Sequence, residues 1–155
     1  MKINVKIIVG IPGSGKSFFS NDYILKNPNT KRINRDDLRM MLDARDDGNE
    51  RFIKGIRDEI IKYCILNDRN IIIDDTNCYK PKLDDLIDFI RVVGVTLSKE
   101  IEIEILDFCV DFDLCLERNK NREKCLDDKI IYFMKKSKDE INFDELDFDI
   151  YTQII

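Results

Sequence analysis

The chain has 155 residues, of which 43% are hydrophobic and 37% charged, and its formal net charge is −5. This size and composition predict one globular domain with a sizeable core, and the acidic balance argues against extended duplex binding but not against holding one strand end. The sequence has no histidine, which excludes histidine triads. It has no apolar run near the ~20 residues of a membrane span and no start typical of a signal peptide, so we predict a cytoplasmic protein.

The first 25 residues predict a strand, a glycine loop and a helix. Residues 3–9 are apolar and β-branched, residues 10–17 fit the pattern G-x-x-x-x-G-K-[ST], and residues 18–25 have helical spacing. In this context the loop is typical of a P-loop, whose backbone N–H groups and helix N-terminus bind phosphate oxygens. A glycine-rich turn is the alternative. We expect nucleotide binding by Gly10, Pro12, Gly13, Ser14, Gly15, Lys16 and Ser17, with Lys16 on the β- and γ-phosphates and Ser17 on Mg²⁺.

Further elements follow in chain order. A short strand over 31–34 leads into a helix that Asp36 or Asp37 opens and that carries Leu38, Met41 and Leu42 on one face. Residues 45–49 are predicted to form a loop, and residues 50–67 one amphipathic helix.

The second half repeats this alternation. We predict a buried strand within 70–77, a helix that starts at Pro81 and is closed by Gly94, and a half-exposed strand over 101–106 near a sheet edge. Helices over 111–122 and 127–137 follow, and then an acidic tail over 139–149 that packs by its aromatic side chains. Alternating strands and helices predict an α/β, three-layer P-loop NTPase fold with a mostly parallel sheet of four to five strands flanked by helices.

Charged residues follow the predicted strands where ligands bind in such folds, beyond the carboxyl ends. Asp36 or Asp37 could act as a base for an acceptor hydroxyl, and the planar fork of Arg39 suits a phosphate or a carboxylate. Asp74 and Asp75 end an apolar strand, where P-loop sites hold a metal. The same acids could simply start a helix or a turn.

A cationic helix end completes the set of candidates. Arg118 and Arg122 are four residues apart and can bracket a polyphosphate, as part of a lid over about 118–128, or can form a solvated helix end. The five cysteines are irregularly spaced, which predicts free thiols in a reducing cytoplasm and no zinc site.

The motifs at 10–17, 33–39, 73–77 and 116–122 together resemble the 5′-kinase domain of bacteriophage polynucleotide kinase, in the same order and over about residues 3–137. This resemblance implies that Asp36 is the general base for a 5′-hydroxyl and that Arg39 holds the phosphate 3′ to the acceptor nucleoside. It places Lys16, Ser17 and Arg122 on the donor phosphates and Arg118 in the lid. Asp75, Thr76 and Asn77 would lie in the acceptor and metal region.

The resemblance implies ATP as phosphoryl donor, Mg²⁺, and a 5′-hydroxyl end of RNA or DNA as acceptor, with no membrane partner. Residues 123–128 and the acidic tail depart from the family pattern, and the 3′-phosphatase domain has no counterpart, so we expect no such activity. Two other hypotheses stay open: a kinase for a nucleoside, an antibiotic or another small metabolite, and a non-enzymatic ATP-binding module. A homo-oligomer formed through the tail and a partnership with a ligase are also open at this stage.

Overall fold

The computed structural model describes residues 1–43 and 47–155, which form a five-stranded, fully parallel sheet covered by helices on both faces. The strands lie in the order β2-β3-β1-β4-β5. Their bounds are β1 Lys2–Val9, β2 Thr30–Ile33, β3 Asn70–Ile73, β4 Glu100–Phe108 and β5 Ile150–Ile154. The helices are α1 Lys16–Lys26, α2 Arg35–Met41, α3 Glu50–Leu66, α4 Lys80–Thr96, α5 Phe112–Lys120 and α6 Asp128–Asp139, with 3₁₀ turns at Asp47–Asn49 and Phe143–Glu145. The predicted α/β three-layer fold is confirmed.

Strand β1 lies at the centre of the sheet because its sequence can be buried on both faces. Val5 pairs with Ile71 of β3 on one side and with Ile103 of β4 on the other. Ile7 and Ile8 point to opposite faces, and both are fully buried. The loop that follows β1 therefore begins at the carboxyl ends of the strands, in the middle of the sheet.

The two faces of the sheet carry separate hydrophobic clusters. The larger cluster packs the strands against α3 and α4, for example through Ile61 and Leu86. The smaller cluster packs Ile8 against Phe19 and Tyr23 of α1. Parallel strands all begin at the same end of the sheet, so each connection must bring the chain back to that end. The helices on the two faces of the sheet form these connections.

Helix α2 begins one residue before the predicted acids. The Asn34 side chain accepts a hydrogen bond from the Asp37 backbone N–H, so Asn34 rather than Asp36 or Asp37 is the N-cap. Only one of the three apolar residues predicted for its inner face, Leu38, is buried, whereas Met41 and Leu42 are exposed. Part of the predicted loop over 45–49 lies outside the described residues, and residues 47–49 form a 3₁₀ turn.

The expected role of Gly94 was wrong. Helix α4 starts at Lys80, one residue before Pro81, but continues through Gly94 to Thr96. A Cβ atom at Gly94 would lie 2.6 Å from Cδ1 of Ile101. This glycine lets the helix approach β4 closely and does not end the helix.

Strand β4 lies near the sheet edge as predicted, but one strand in from it, because a fifth strand that the sequence analysis did not predict lies outside it. The segment after α6 packs Phe143 and Phe148 against the larger cluster, as expected for its aromatic residues. It then continues into β5, where Ile105 pairs with Tyr151. The carboxylate of Asp149 accepts a hydrogen bond from the backbone N–H of Ile103 at 2.7 Å, which starts this pairing.

The structure also shows the state of the cysteines and whether a helix could span a membrane. All five cysteines are free thiols; Cys64, Cys78 and Cys115 are buried, and Cys125 is exposed. Burial raises the pKa of the Cys78 thiol to about 11. Within the part of the chain that the structure describes, no helix is both long and apolar enough to span a bilayer.

Candidate functional site

The glycine loop joins β1 to α1 in a conformation that needs glycine at two positions. Gly13 and Gly15 have φ angles of +83° and +91°, in the left-handed region. The Ser14 hydroxyl donates to the Ile11 carbonyl at 2.8 Å and keeps the turn tight. The backbone N–H of Gly10 donates to the carbonyl of residue 76 at 2.9 Å, which ties the start of the loop to the segment after β3.

Lys16 is the first residue of α1 and its side chain is buried. Its Nζ donates to the Ile11 carbonyl at 2.8 Å, inside the loop. Burial lowers the pKa of the Lys16 ammonium below its ordinary value, Arg122 acts in the same direction, and Asp74 opposes them. A buried cation facing a second cation favours an anionic ligand, and the phosphate groups of a nucleotide supply that charge.

Asp74 and Asp75, which follow β3, use their carboxylates differently. The buried Asp74 carboxylate forms an ion pair with Arg32 at 2.6 Å and accepts from the Ser20 hydroxyl at 2.8 Å. Asp75 accepts from the backbone N–H of Arg35 at 2.9 Å and from its Nε at 3.0 Å. Asp75 thereby holds the start of α2 against the end of β3.

A magnesium site can be tested against these contacts. Oδ1 of Asp74 is buried and has no hydrogen-bond partner among the described residues, and the exposed Ser17 lines the same cleft. No group of three or more acids or cysteines in the described part of the chain is arranged to hold a metal. Mg²⁺ usually keeps several waters and binds one or two carboxylates together with substrate phosphates. The donor set of Ser17 and Asp74 fits that mode, whereas both oxygens of Asp75 already accept hydrogen bonds from Arg35.

Asp36 and Arg39 lie on α2 and form an ion pair. Nη1 of Arg39 donates to Oδ1 of Asp36 at 2.6 Å, and the Asp36 side chain is 83% exposed. Asp37, the other candidate base, forms an ion pair with Arg32 and does not line the cleft. The geometry therefore distinguishes two neighbouring acids that residue spacing alone left open, and only Asp36, the acid that the resemblance implies, lines the cleft.

Sequence reasoning missed Glu50, the first residue of α3. Its carboxylate holds the guanidinium of Arg39 through two bonds, from Nε at 2.6 Å and from Nη2 at 2.7 Å. The hydrogen bond from Arg39 lowers the pKa of the Glu50 carboxyl below its ordinary value. The two residues are eleven positions apart across a turn, so helical spacing gives no signal for this pair.

Thr76 and Asn77 lie in the segment after β3, where it contacts the glycine loop and the end of β1. The Asn77 amide donates to the Ile8 carbonyl at 2.7 Å, and the residue has a φ angle of +47°. Thr76 supplies the carbonyl that Gly10 binds and is half-buried. Both residues line the cleft while they also support the loop.

The predicted lid residues lie at the end of α5. Nη1 of Arg118 donates to the Gly13 carbonyl at 3.3 Å, and Arg122 is exposed and lines the cleft. The buried Asn119, which the sequence did not single out, donates through its amide to the Leu126 carbonyl at 2.8 Å and closes the turn between α5 and α6.

These elements enclose a cleft of about 910 Å³ at the carboxyl ends of β1, β2 and β3. The predicted residues that line it are Pro12, Lys16, Ser17, Asp36, Arg39, Asp74, Asp75, Thr76, Asn77 and Arg122. Gly10, Gly13, Ser14, Gly15 and Arg118 do not line it in this structure. A larger depression of about 1070 Å³ lies between α3 and α4, but its lining is mostly apolar and contains none of the predicted residues. We therefore assign the site to the cleft.

The chain is similar to several known kinases and nucleotide-binding proteins. The L-seryl-tRNA(Sec) kinase of Methanococcus maripaludis is 27% identical over 139 residues, which are 86% of this chain and 51% of that protein. An adenylate kinase from Wolbachia (strain wRi, Drosophila simulans) is 32% identical over 143 residues, which are 84% of this chain and 65% of that protein. The chain spans between 20% and 65% of the length of the curated relatives it matches.

A solved structure of a Pnkp1/Rnl/Hen1 complex contains a chain with a TM-score of 0.64 and 26% identity to this protein. The alignment covers 81% of this chain and 41% of that chain. The family described as AAA domain matches residues 5–132, from β1 through the first turn of α6. Since this match takes in most of the chain and nearly all of the cleft, the protein belongs to the AAA domain family.

Proposed function

We propose that this protein is an ATP-dependent kinase that transfers the γ-phosphoryl group of ATP to the 5′-hydroxyl end of RNA or DNA. The observation that carries the proposal is the Asp36–Arg39 pair on the wall of the cleft that Lys16 also lines. The pair offers an exposed carboxylate and a guanidinium at hydrogen-bond distance, as an acceptor with both a hydroxyl and a phosphate requires. Similarity to an L-seryl-tRNA(Sec) kinase supports phosphoryl transfer to an RNA-linked hydroxyl.

The donor side of the mechanism rests on the glycine loop. Its backbone N–H groups bind the phosphates, and Lys16 and Arg122 stabilise the charge that develops on the transferring group. Lys16 would exchange its bond to the Ile11 carbonyl for a phosphate oxygen. Mg²⁺, when bound, neutralises phosphate charge, and Ser17 and Asp74 are the residues that would hold it.

The acceptor side rests on α2. Asp36 accepts the proton of the 5′-hydroxyl while a bond forms between that oxygen and the γ-phosphorus and the bond to the β–γ bridging oxygen breaks. Arg39 holds the phosphate on the 3′ side of the acceptor nucleoside and so positions the hydroxyl. The proposal has three further parts. Residues 118–128 form a lid, residues 1–155 form a single kinase domain, and the protein works together with a ligase.

The experiment incubates the purified protein with γ-labelled ATP, Mg²⁺ and a 5′-hydroxyl oligonucleotide. We expect label on the 5′ end, and we expect Asp36→Asn to lower kcat at least about 100-fold with little change in ATP affinity. Asp37→Asn is the matched control, because Asp37 is the adjacent acid but is engaged by Arg32 outside the cleft. Absence of transfer by the wild type refutes the proposal, and an equal loss in both variants refutes the role of Asp36.

A nucleotide or other small-molecule kinase is the second candidate, since the chain is 32% identical to an adenylate kinase over 143 residues. The same assay distinguishes the two when nucleosides, nucleoside monophosphates and 3′-nucleotides are offered beside oligonucleotides. A preference for acceptors with a 3′-phosphate supports the polynucleotide assignment, because the proposed mechanism places the phosphate on the 3′ side of the acceptor nucleoside at Arg39.

A further inference from the structure

The charge of the cleft is opposite in sign to that of the chain. Among the residues that the structure describes, eight cations and five carboxylates line the cleft, a positive excess of three in a chain of net charge −5. The cations are Lys16, Arg35, Arg39, Arg51, Lys54, Arg57, Lys82 and Arg122, and the carboxylates are Asp36, Glu50, Asp74, Asp75 and Asp85. The proposed mechanism uses the donor-side cations and Arg39, but it leaves a cationic group on α3 and α4 without a role.

This group, the cationic wall, consists of Arg51, Lys54 and Arg57 on α3 and Lys82 on the first turn of α4. Lys54 and Arg57 both bind the carboxylate of Asp58, at 2.9 Å and 2.7 Å. One carboxylate therefore balances only one of the two charges. Arg57 is 5% exposed, and a buried guanidinium with a shared counter-ion favours a further anion.

The rest of the wall is also short of counter-ions. None of the ion pairs between described residues includes Arg51 or Lys82. Lys82 lies close enough to Glu50 to lower the pKa of that carboxyl, although the hydrogen bond from Arg39 is the larger cause. Asp85, one turn further along α4, is the carboxylate that remains on this side of the cleft.

The wall leads away from the proposed acceptor site. Glu50 begins α3 and holds Arg39, so the helix starts beside the guanidinium that would bind the first acceptor phosphate. From Arg51 to Arg57 the helix rises about 9 Å. A strand in a duplex rises ~3.4 Å per phosphate, and neighbouring phosphates of a single strand lie farther apart than this, so the wall offers room for roughly one or two further phosphates.

We infer that the cationic wall binds the phosphates of a polynucleotide acceptor beyond the one at Arg39, and that it makes the enzyme prefer oligonucleotides over single 3′-nucleotides. This inference rests on the proposed function. It assigns α3 a substrate-binding surface that runs from Arg39 toward Arg57, and it explains how an acidic protein can hold more than the last nucleotide of a strand.

The experiment compares two acceptors, a 5′-hydroxyl pentanucleotide and a 3′-phosphorylated mononucleoside, in steady-state kinetics. The variant is the double change Lys54→Gln with Lys82→Gln, which leaves the buried Arg57 and the core intact. Lys62→Gln is the matched control, since Lys62 lies on the same helix, is also paired with an acid and does not line the cleft. Unfolding in urea for each variant verifies that the fold is retained.

For the double variant we expect KM for the pentanucleotide to rise roughly tenfold, about threefold for each cation removed, and KM for the mononucleoside to stay unchanged. The slope of log KM against log salt should become shallower by about 0.7 for each lost phosphate contact. An equal rise for both acceptors, or no rise for the pentanucleotide, overturns the inference while the proposed function stands. A wild type that phosphorylates neither acceptor overturns the proposed function itself.

Discussion

The contact between Glu50 and Arg39 gives a prediction in which affinity and stability change in opposite directions. Glu50 occupies the Nε–Nη2 edge of the guanidinium that we propose for the acceptor phosphate, with bonds of 2.6 Å and 2.7 Å. A phosphate can bind this edge of Arg39 bidentately only if it displaces the carboxylate of Glu50. The change Glu50→Gln removes the charge of the competitor and keeps its shape.

The magnitude follows from the geometry of the pair. Two unit charges 4 Å apart attract by about 4 kcal/mol at an effective dielectric constant near 20. The side chains of Arg39 and Glu50 are 21% and 47% exposed, so solvent and side-chain entropy reduce the net contribution, and exposed pairs give about 0.2–1 kcal/mol. The bidentate geometry places this pair at the upper end, about 1 kcal/mol or roughly a fivefold change in an equilibrium constant.

We therefore expect Glu50→Gln to lower KM for a 3′-phosphorylated acceptor about fivefold and to lower the free energy of unfolding by about 1 kcal/mol at pH 7. Steady-state kinetics and urea titration measure the two effects. Glu59→Gln is the control, because Glu59 lies on the same helix and is paired with Lys62 away from the cleft. A nucleoside without a 3′-phosphate should show no change. A higher KM for the phosphorylated acceptor would refute the reasoning.

The same pair has a defined pH dependence. The pKa of Glu50 is lowered on folding from its ordinary value of 4.5, chiefly by the hydrogen bond from Arg39. Because the folded pKa is depressed, the stabilisation is present above about pH 4.5 and is lost as the pH falls through the folded value. The difference in unfolding free energy between the wild type and Glu50→Gln should therefore disappear in acid.

Two further predictions concern the loop and the core. Gly13→Ala should destabilise the protein by roughly 3 kcal/mol in urea unfolding, since the new Cβ would lie 2.4 Å from the Cys115 carbonyl oxygen at a φ angle of +83°. Gly15 has open space around it, so Gly15→Ala should lower the free energy of unfolding by only about 1 kcal/mol. Equal losses in the two variants would contradict this reasoning. Lys138→Gln should cost roughly 3 kcal/mol, because it leaves the buried carboxylate of Asp107 without its 2.6 Å ion pair. Burial alone lowers the pKa of Lys138, but Asp107 outweighs it and leaves the pKa above 10.5, so the wild-type advantage should be complete below that pH and vanish in stronger alkali.

Features set by local chemistry could be predicted from the sequence. The turn at Gly13 and Gly15, the burial of β1 and the start of α4 near Pro81 each depend on residues within a few positions of one another. The parallel sheet followed from the alternation of strand and helix patterns.

Features that depend on distant packing could not be predicted. A glycine after a helical pattern is typical of a helix end, and only the proximity of Ile101 shows that Gly94 allows close packing instead. Strand β5 follows an acidic stretch and has a weak apolar pattern, so its pairing with β4 depends on contacts such as that of Asp149 with Ile103. The capture of Arg39 by Glu50 depends on how α2 and α3 meet, for which the sequence carries no periodic signal.

The central position of β1 affects the order in which the chain can fold during its synthesis. Val5 leaves the ribosome before its partners Ile71 and Ile103, which come 66 and 98 residues later. At about 5–20 residues per second, an apolar strand waits roughly 5–20 s for its second neighbour. This central strand thus waits longest for its partners during translation, and we expect a nascent chain that ends before β4 to be a strong substrate for ribosome-associated chaperones.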